Sequence, residues 1–302
     1  MTIPNFFIVG APKCGTTALY EYLREHPNVF MCTPKEPHYF ATDLPKKRLV
    51  QTLSEYNHLF DKADDNHIAV GEASVWYLYS DIAIENIKKF NPDAKIIVML
   101  RNPVDFVYSS HSQALQCNTE DVRDFKKAWE LSKQRAKGFE IPRHCNEVKL
   151  FYYDQIGKFG FQVERLLNIF PHEQVKIIFF DDFKEQAGEV YKAVLDFLSL
   201  PDNHKVDFPV INKNRRHKIQ WLAELTRTPP EAILNFLLKF KKFMGIKKLG
   251  LKNKIEKINV KTEQRKKLDN EMVEKIIEAY RSDVMKLSKV TGRDLMHWLN
   301  IK

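Results

Sequence analysis

The sequence predicts an α/β fold of three layers, a central parallel sheet with helices on both faces, closed by a helical C-terminal cap. Two features carry this. Residues 5–9 (NFFIV) and 94–100 (AKIIVML) are short apolar runs, each ending in a turn that leads straight into a helical pattern. Continuous apolar runs mark strands buried on both faces, and strand–helix alternation marks parallel strands joined by crossover helices. Beyond Pro229 the pattern becomes helical and basic throughout, ending in MVEKIIEAYRSDVMKLSKVTGRDLMHWL.

Taken in order, the first run ends at Gly10, a turn signal. From Thr16 the stretch TTALYEYLREH places Leu19, Tyr22 and Leu23 on one face, which predicts a helix. Residues 69–74 (AVGEAS) form a further strand. The run 94–100 feeds RNPVDFVYSSHSQAL, a helix whose Pro103 falls in the first turn, where a missing N–H costs little. A helical pattern follows over 151–170, then a strand at 175–180 (VKIIFF) and a helix in EVYKAVLDFLSL. The 302 residues read as a single domain, with a helical basic part over about 215–302.

Composition narrows the function classes. Apolar residues make up 44% and charged residues 29%, ordinary values for a folded globular chain. The N-terminal MTIPNFFIVGAPK has no basic region before its short apolar run, and no apolar stretch reaches the roughly 18 residues of a membrane helix. Neither a signal peptide nor stable membrane insertion is expected. Cys14, Cys32, Cys117 and Cys145 show no metal spacing, so a reducing cytoplasm is the expected location. The net charge of +9 favours anionic partners. Much of it lies in the compact KNRRHK cluster (213–218) and in a diffuse spread from Lys239 to Lys267, which reads as a solvated helical face. The basic apolar stretch ILNFLLKFKKFMGIKK reads as a helix with its apolar side turned to the acceptor cleft. No nucleic-acid-binding module is recognisable, so nucleic acid is not an expected partner.

The chemistry concentrates in residues 10–17, GAPKCGTT, set between strand and helix. Such a loop aims backbone N–H groups and a helix dipole at one point, which suits a phosphate. Its frame is that of a P-loop, yet Thr16 stands where an NTPase carries its lysine, and the lysine has moved forward to Lys13. A kinase or ATPase is therefore disfavoured. Lys13, Cys14, Gly15, Thr16 and Thr17 are the candidate phosphate-binding residues, gripping a single 5′-phosphate and its bridging oxygen.

GAPKCGTTAL resembles the 5′-phosphosulfate loop of the sulfotransferase family, and RNPVDFVYSSHS resembles the family's 3′-phosphate segment. The resemblance implies 3′-phosphoadenosine 5′-phosphosulfate (PAPS) as co-substrate, with Arg101 and Ser109 as 3′-phosphate ligands and no metal. A guanidinium offers paired donors to phosphate oxygens and a serine adds a neutral one. KEPHYF (35–40) is similar to a segment of heparan sulfate 3-O-sulfotransferases and related bacterial enzymes, GEASVWYLYS takes the place of their next strand, and the C-terminus is similar too. On this match Glu36 is the base. His38 either orients it, since an extended segment would put both on one side, or serves as base itself, as Glu72 could. Glu72, Trp76 and Tyr77, with Tyr79, are candidates for the acceptor pocket. Arg215 and Arg216 are candidates for a basic loop over the 3′-phosphate, or belong to a solvated loop.

Two departures bear on the acceptor. The heparan enzymes carry an active-site lysine where this chain has Ala73, and a proline where it has Val75. The expected acceptor is therefore a hydroxyl of a small metabolite or natural product. N-sulfation of an amino or guanidino group, or sulfation of a saccharide, are the alternatives.

Overall fold

The computed structural model describes residues 2–209, 215–217, 260–262 and 266–301, the two short segments by their backbone alone. Five parallel strands form the central sheet: β1 (Phe6–Gly10), β2 (Val29–Met31), β3 (Ala69–Ala73), β4 (Lys95–Leu100) and β5 (Val175–Phe179), in the order β2-β3-β1-β4-β5. All five residues of β1 and of β3 are buried, as strands covered on both faces must be. β2 was not anticipated, being three residues long and at the sheet edge.

The connecting helices α1 (Thr16–Arg24), α2 (Leu53–His58), α3 (Ala83–Phe90) and α4 (Pro103–Gln116) are followed by short α5 (Phe125–Glu130) and α6 (Ser132–Arg135), then α7 (Phe159–Ile169). Pro103 does open α4, and Asn102 Oδ1 caps it by accepting from Val104 N at 2.9 Å. The helix expected over 151–170 is shorter. Val148–Phe151 is a single 3₁₀ turn, and Gly157 passes so close to the Tyr280 ring that a Cβ there would lie 2.9 Å from it, so α7 starts only at Phe159. After β5 come α8 (Phe180–Glu185) and α9 (Ala187–Leu198).

Downstream, the expectation of wholly helical structure needs correction. Arg215–His217 (β6) pairs antiparallel with Val260–Thr262 (β7), and INVKT carries β-branched residues at alternate positions, a strand pattern. The remainder of 218–259, including ILNFLLKFKKFMGIKK, lies outside the described residues. The terminal helix α10 (Asn270–Thr291) forms as expected and packs on α7, where Asp283 accepts from the Gly160 and Phe161 amides at 2.8 and 3.0 Å. No helix among the described residues is long and apolar enough to cross a membrane.

This topology fixes where a site can form. β1 sits between β3 and β4, so the loops leaving the carboxyl ends of these three strands converge on one crevice, the place where open parallel sheets bind ligands.

Candidate active site

A cleft of about 370 Å³ opens at that crevice. Its floor is the loop between β1 and α1. Gly10 lies under Leu78, where a Cβ would sit 2.9 Å from the leucine Cβ. Lys13 adopts φ 62° and Gly15 φ 92°, both left-handed. That conformation is free for glycine but costs a lysine roughly 1–2 kcal/mol, so the turn is held by its surroundings. Gly15 caps α1 without any side-chain hydrogen bond. The first amides of α1 thus point at the cleft with the positive end of the helix dipole behind them. Lys13, Gly15, Thr16 and Thr17 line the cleft.

Cys14 turns its side chain away from the cleft. Its side chain is fully buried, Sγ donating to Pro12 O at 3.3 Å, and burial pushes the thiol up to about 12. Only its backbone remains available.

The cleft is also lined by Arg101, from the end of β4, and Ser109, from α4. The Arg101 guanidinium stacks over the Phe180 ring at 4.8 Å and donates from one terminal nitrogen to Asp105 Oδ2 at 3.0 Å. Its buried Nε has no hydrogen-bond partner among the described residues. A planar donor array held in place with an unused buried donor fits an anion. Lys13 with the loop amides, and Arg101 with Ser109, give one cleft two sets of donors able to bind anions. For Arg215 and Arg216 only the backbone is described; their strand runs against α4.

The third wall comes from the chain after β2. Glu36 lines the cleft. Its Oε1 accepts from Lys35 Nζ at 2.7 Å, and its Oε2 lies 3.6 Å from His38 Nε2, longer than a direct hydrogen bond. The two residues do approach, but not through an extended segment. Both are left-handed, Glu36 at φ 66° and His38 at φ 50°, because Glu36 N is tied to Ala73 O (3.2 Å) and His38 N to Ser74 Oγ (3.0 Å). Burial opposes ionisation of Glu36, yet His38 and Lys35 outweigh it and hold the carboxyl down at about 2. Burial lowers the His38 imidazole below its ordinary value, with Glu36 offsetting part of the drop. Glu36 is thereby held as a carboxylate beside His38.

Trp76 lines the cleft as expected; Tyr77, Tyr79 and Glu72 do not. Tyr79 is turned to donate to Lys149 O at 2.9 Å. Glu72 and Tyr77 are fully buried behind the cleft wall and bonded to each other, so neither is placed to touch an acceptor. The cleft also holds residues that sequence reasoning missed: Lys47, Gln113, Asn146, Leu150, Phe151 and Phe180. Lys47 had a weak signal, the basic run 46–48 close after KEPHYF; it has no ion-pair partner among the described residues and bears on His38 through its charge. Asn146 sits where no periodic pattern exists.

A sulfotransferase domain model matches residues 4–291. The chain is 26% identical over 257 residues to carbohydrate sulfotransferase 15 of Mus musculus, covering 66% of this chain and 44% of that protein. It is 30% identical over 199 residues to heparan sulfate glucosamine 3-O-sulfotransferase 3B1 of Homo sapiens, covering 66% and 46%. The chain spans about half the length of the curated relatives it matches. A crystal structure of a sulfotransferase from Alicyclobacillus acidocaldarius matches 99% of this chain and 100% of its own, with a TM-score of 0.73 and 26% identity.

Proposed function

The chain belongs to the sulfotransferase domain family, and from that membership we propose that it moves the sulfuryl group of PAPS to an acceptor hydroxyl, releasing 3′-phosphoadenosine 5′-phosphate (PAP). The observation that carries the reading is the shared cleft, in which Lys13, Arg101, Ser109 and Glu36 meet from three different strand ends.

In such a transfer the acceptor oxygen forms a bond to sulfur while the bond from sulfur to the 5′-phosphate oxygen breaks, in line and through a loose transition state. Arg101 and Ser109 hold the 3′-phosphate and so fix the nucleotide's register. Lys13 and the α1 amides face the 5′-phosphate, whose bridging oxygen gains charge as it leaves; fixed positive groups there stabilise the transition state more than the ground state. Glu36 takes the acceptor's proton. Its carboxylate is ionised at any ordinary pH, and the hydroxyl becomes acidic enough to yield only as the new O–S bond forms. Because the positive charge comes from Lys13 and the loop, transfer is to persist in EDTA.

For the acceptor, a small hydroxylated molecule remains the first proposal. A saccharide is the second, favoured by one observation: Lys47 brings a cation to the cleft from a segment other than the one that carries Ala73. The test is incubation with labelled PAPS and separate panels of hydroxylated metabolites and oligosaccharides, read by acceptor mass. An increment of one sulfuryl group with equimolar PAP supports the reading, and the panel that responds identifies the class. Transfer to neither panel, with PAP binding no tighter than AMP, overturns it.

A further inference from the structure

Behind the Glu36 segment lies a closed set of polar contacts with no role in the transfer steps above. The Glu72 carboxylate, fully buried in β3, accepts from Tyr56 Oη at 2.8 Å, Tyr77 Oη at 3.0 Å and Ser74 Oγ at 2.6 Å. Two of these hydroxyls have a second task. Ser74 Oγ accepts the main-chain N–H of His38 at 3.0 Å, and Tyr77 Oη accepts that of Phe40 at 3.3 Å. Both can accept from the loop because their own protons are committed to Glu72. Glu36 is tied at the same edge, its N–H donating to Ala73 O.

We propose that Glu72 is a positioning residue for the transfer reaction: by fixing the donor direction of Ser74 and Tyr77 it pins the amides of His38 and Phe40, and so holds Glu36 in its left-handed conformation facing the cleft. The inference rests on Glu36 being the base. Glu36 and His38 occupy backbone conformations that non-glycine residues adopt only when their surroundings impose them, and the bonds from Ser74, Tyr77 and Ala73 are those surroundings. Tyr56 differs from the other two hydroxyls, since no loop amide donates to it and its ring packs against Tyr39 and Phe40.

Glu72→Gln tests this with little change in shape. A glutamine has one acceptor oxygen and an NH₂ group, so at least one hydroxyl must reverse, and a hydroxyl that accepts from the new side-chain amide no longer points its lone pair at a loop N–H in the same way. Turnover should fall by about 10-fold or more, since small misplacements of a reacting group are costly, while PAP affinity stays close to that of the unsubstituted protein. Ser74→Ala and Tyr77→Phe should each lower turnover in the same pattern, and Tyr56→Phe less than either. Amide hydrogen exchange supplies a readout independent of transfer: His38 and Phe40 should exchange faster in the Glu72, Ser74 and Tyr77 variants. If Glu72→Gln does not fold, the two hydroxyl variants carry the test. Unchanged exchange at both amides, or unchanged turnover despite lowered melting temperature, overturns the inference. Absence of transfer by the unsubstituted protein would instead count against the proposed function and leave the exchange arm to decide this one.

Discussion

The part of the cleft proposed for the nucleotide is built from residues close in sequence, whereas the part proposed for the acceptor is assembled from segments that meet only in the folded chain. Residues 11–17 follow one strand, and Arg101 to Ser109 follow another. Their geometry comes from a glycine turn and from helix N-termini, devices that any strand–loop–helix connection reproduces. On the other side, Glu36 depends on Lys35 beside it, on Ala73 and Ser74 at the end of β3, and on Tyr56 and Tyr77 behind it. The first side is modular in sequence, although its left-handed Lys13 is also held by its surroundings. The second is strained locally and held by tertiary contacts. Substitutions on the two sides should therefore fail in different ways.

The largest effect should come from Lys13→Ala. It removes a cation from the leaving oxygen, and losing one such electrostatic contact costs about 10²–10³-fold in turnover. Nucleotide affinity should fall less, because the contact strengthens as charge develops. Single-turnover transfer measured beside calorimetric PAP binding separates the two. Equal losses in both would make Lys13 a binding residue and erase the asymmetry.

Glu36→Gln should come next, with turnover down by ~10²-fold and PAP binding unchanged, since the amide keeps size and hydrogen bonding but not basicity. Near-normal turnover in this variant beside an inactive His38→Ala would move the base to His38. That outcome would require His38, which is buried and does not line the cleft, to reach the acceptor through Nε2 beside Glu36.

Arg101→Ala belongs to the opposite class. Charge-assisted hydrogen bonds are worth about 1.5–3 kcal/mol, so PAP affinity should drop by roughly 10- to 100-fold while AMP affinity, lacking the 3′-phosphate, hardly moves. A parallel loss for both nucleotides would mean that Arg101, stacked on Phe180 and bonded to Asp105, holds the fold of the β4–α4 corner rather than a phosphate.

The same asymmetry explains what could be read from the sequence. The parallel sheet was legible because β1 and β4 are continuous apolar runs, and the glycine loop between β1 and α1 because its residues are consecutive. The three-residue β2 carries too little pattern to be seen. A loop motif says which residues are present but not which way each side chain turns, as the inward-facing Cys14 thiol illustrates. Glu72, Tyr77 and Lys47 were misjudged or missed for a related reason. A buried carboxylate between tyrosines from two segments leaves no local signature, and Lys47, in the 3₁₀ turn Pro45–Lys47, is marked only by the basic run around it. Even the approach of Glu36 and His38 was anticipated from strand periodicity, yet it arises from two left-handed residues held by β3.

The smallest effect concerns Glu72 and pH. Burial pushes this carboxyl up to about 7, against the opposing pull of the Ser74, Tyr56 and Tyr77 hydroxyls and the charge of Lys35. A folded-state value above the unfolded one means the native protein binds the extra proton between about pH 4.5 and 7, so this group's contribution to stability is fully present at the acid end and is lost as pH rises through 7. Its size is about 2 kcal/mol between pH 5 and 8, a shift of a few degrees in melting temperature. His38 and His111 work against it, because burial lowers both and stability from them is lost on acidification. The clean measurement is therefore the melting difference between the unsubstituted protein and Glu72→Gln, in which the His111 contribution cancels. That difference should move in favour of the unsubstituted protein from pH 8 to pH 5. Turnover should run the other way, since only the ionised carboxylate accepts from all three hydroxyls and leaves Ser74 and Tyr77 free to hold the loop. Glu36, held down at about 2, does not titrate in this window. Folding and transfer would thus prefer opposite protonation states of one buried residue. A melting difference flat in pH would show that the hydroxyls keep Glu72 ionised throughout, and that the acceptor side is more fully compensated than its strained backbone suggests.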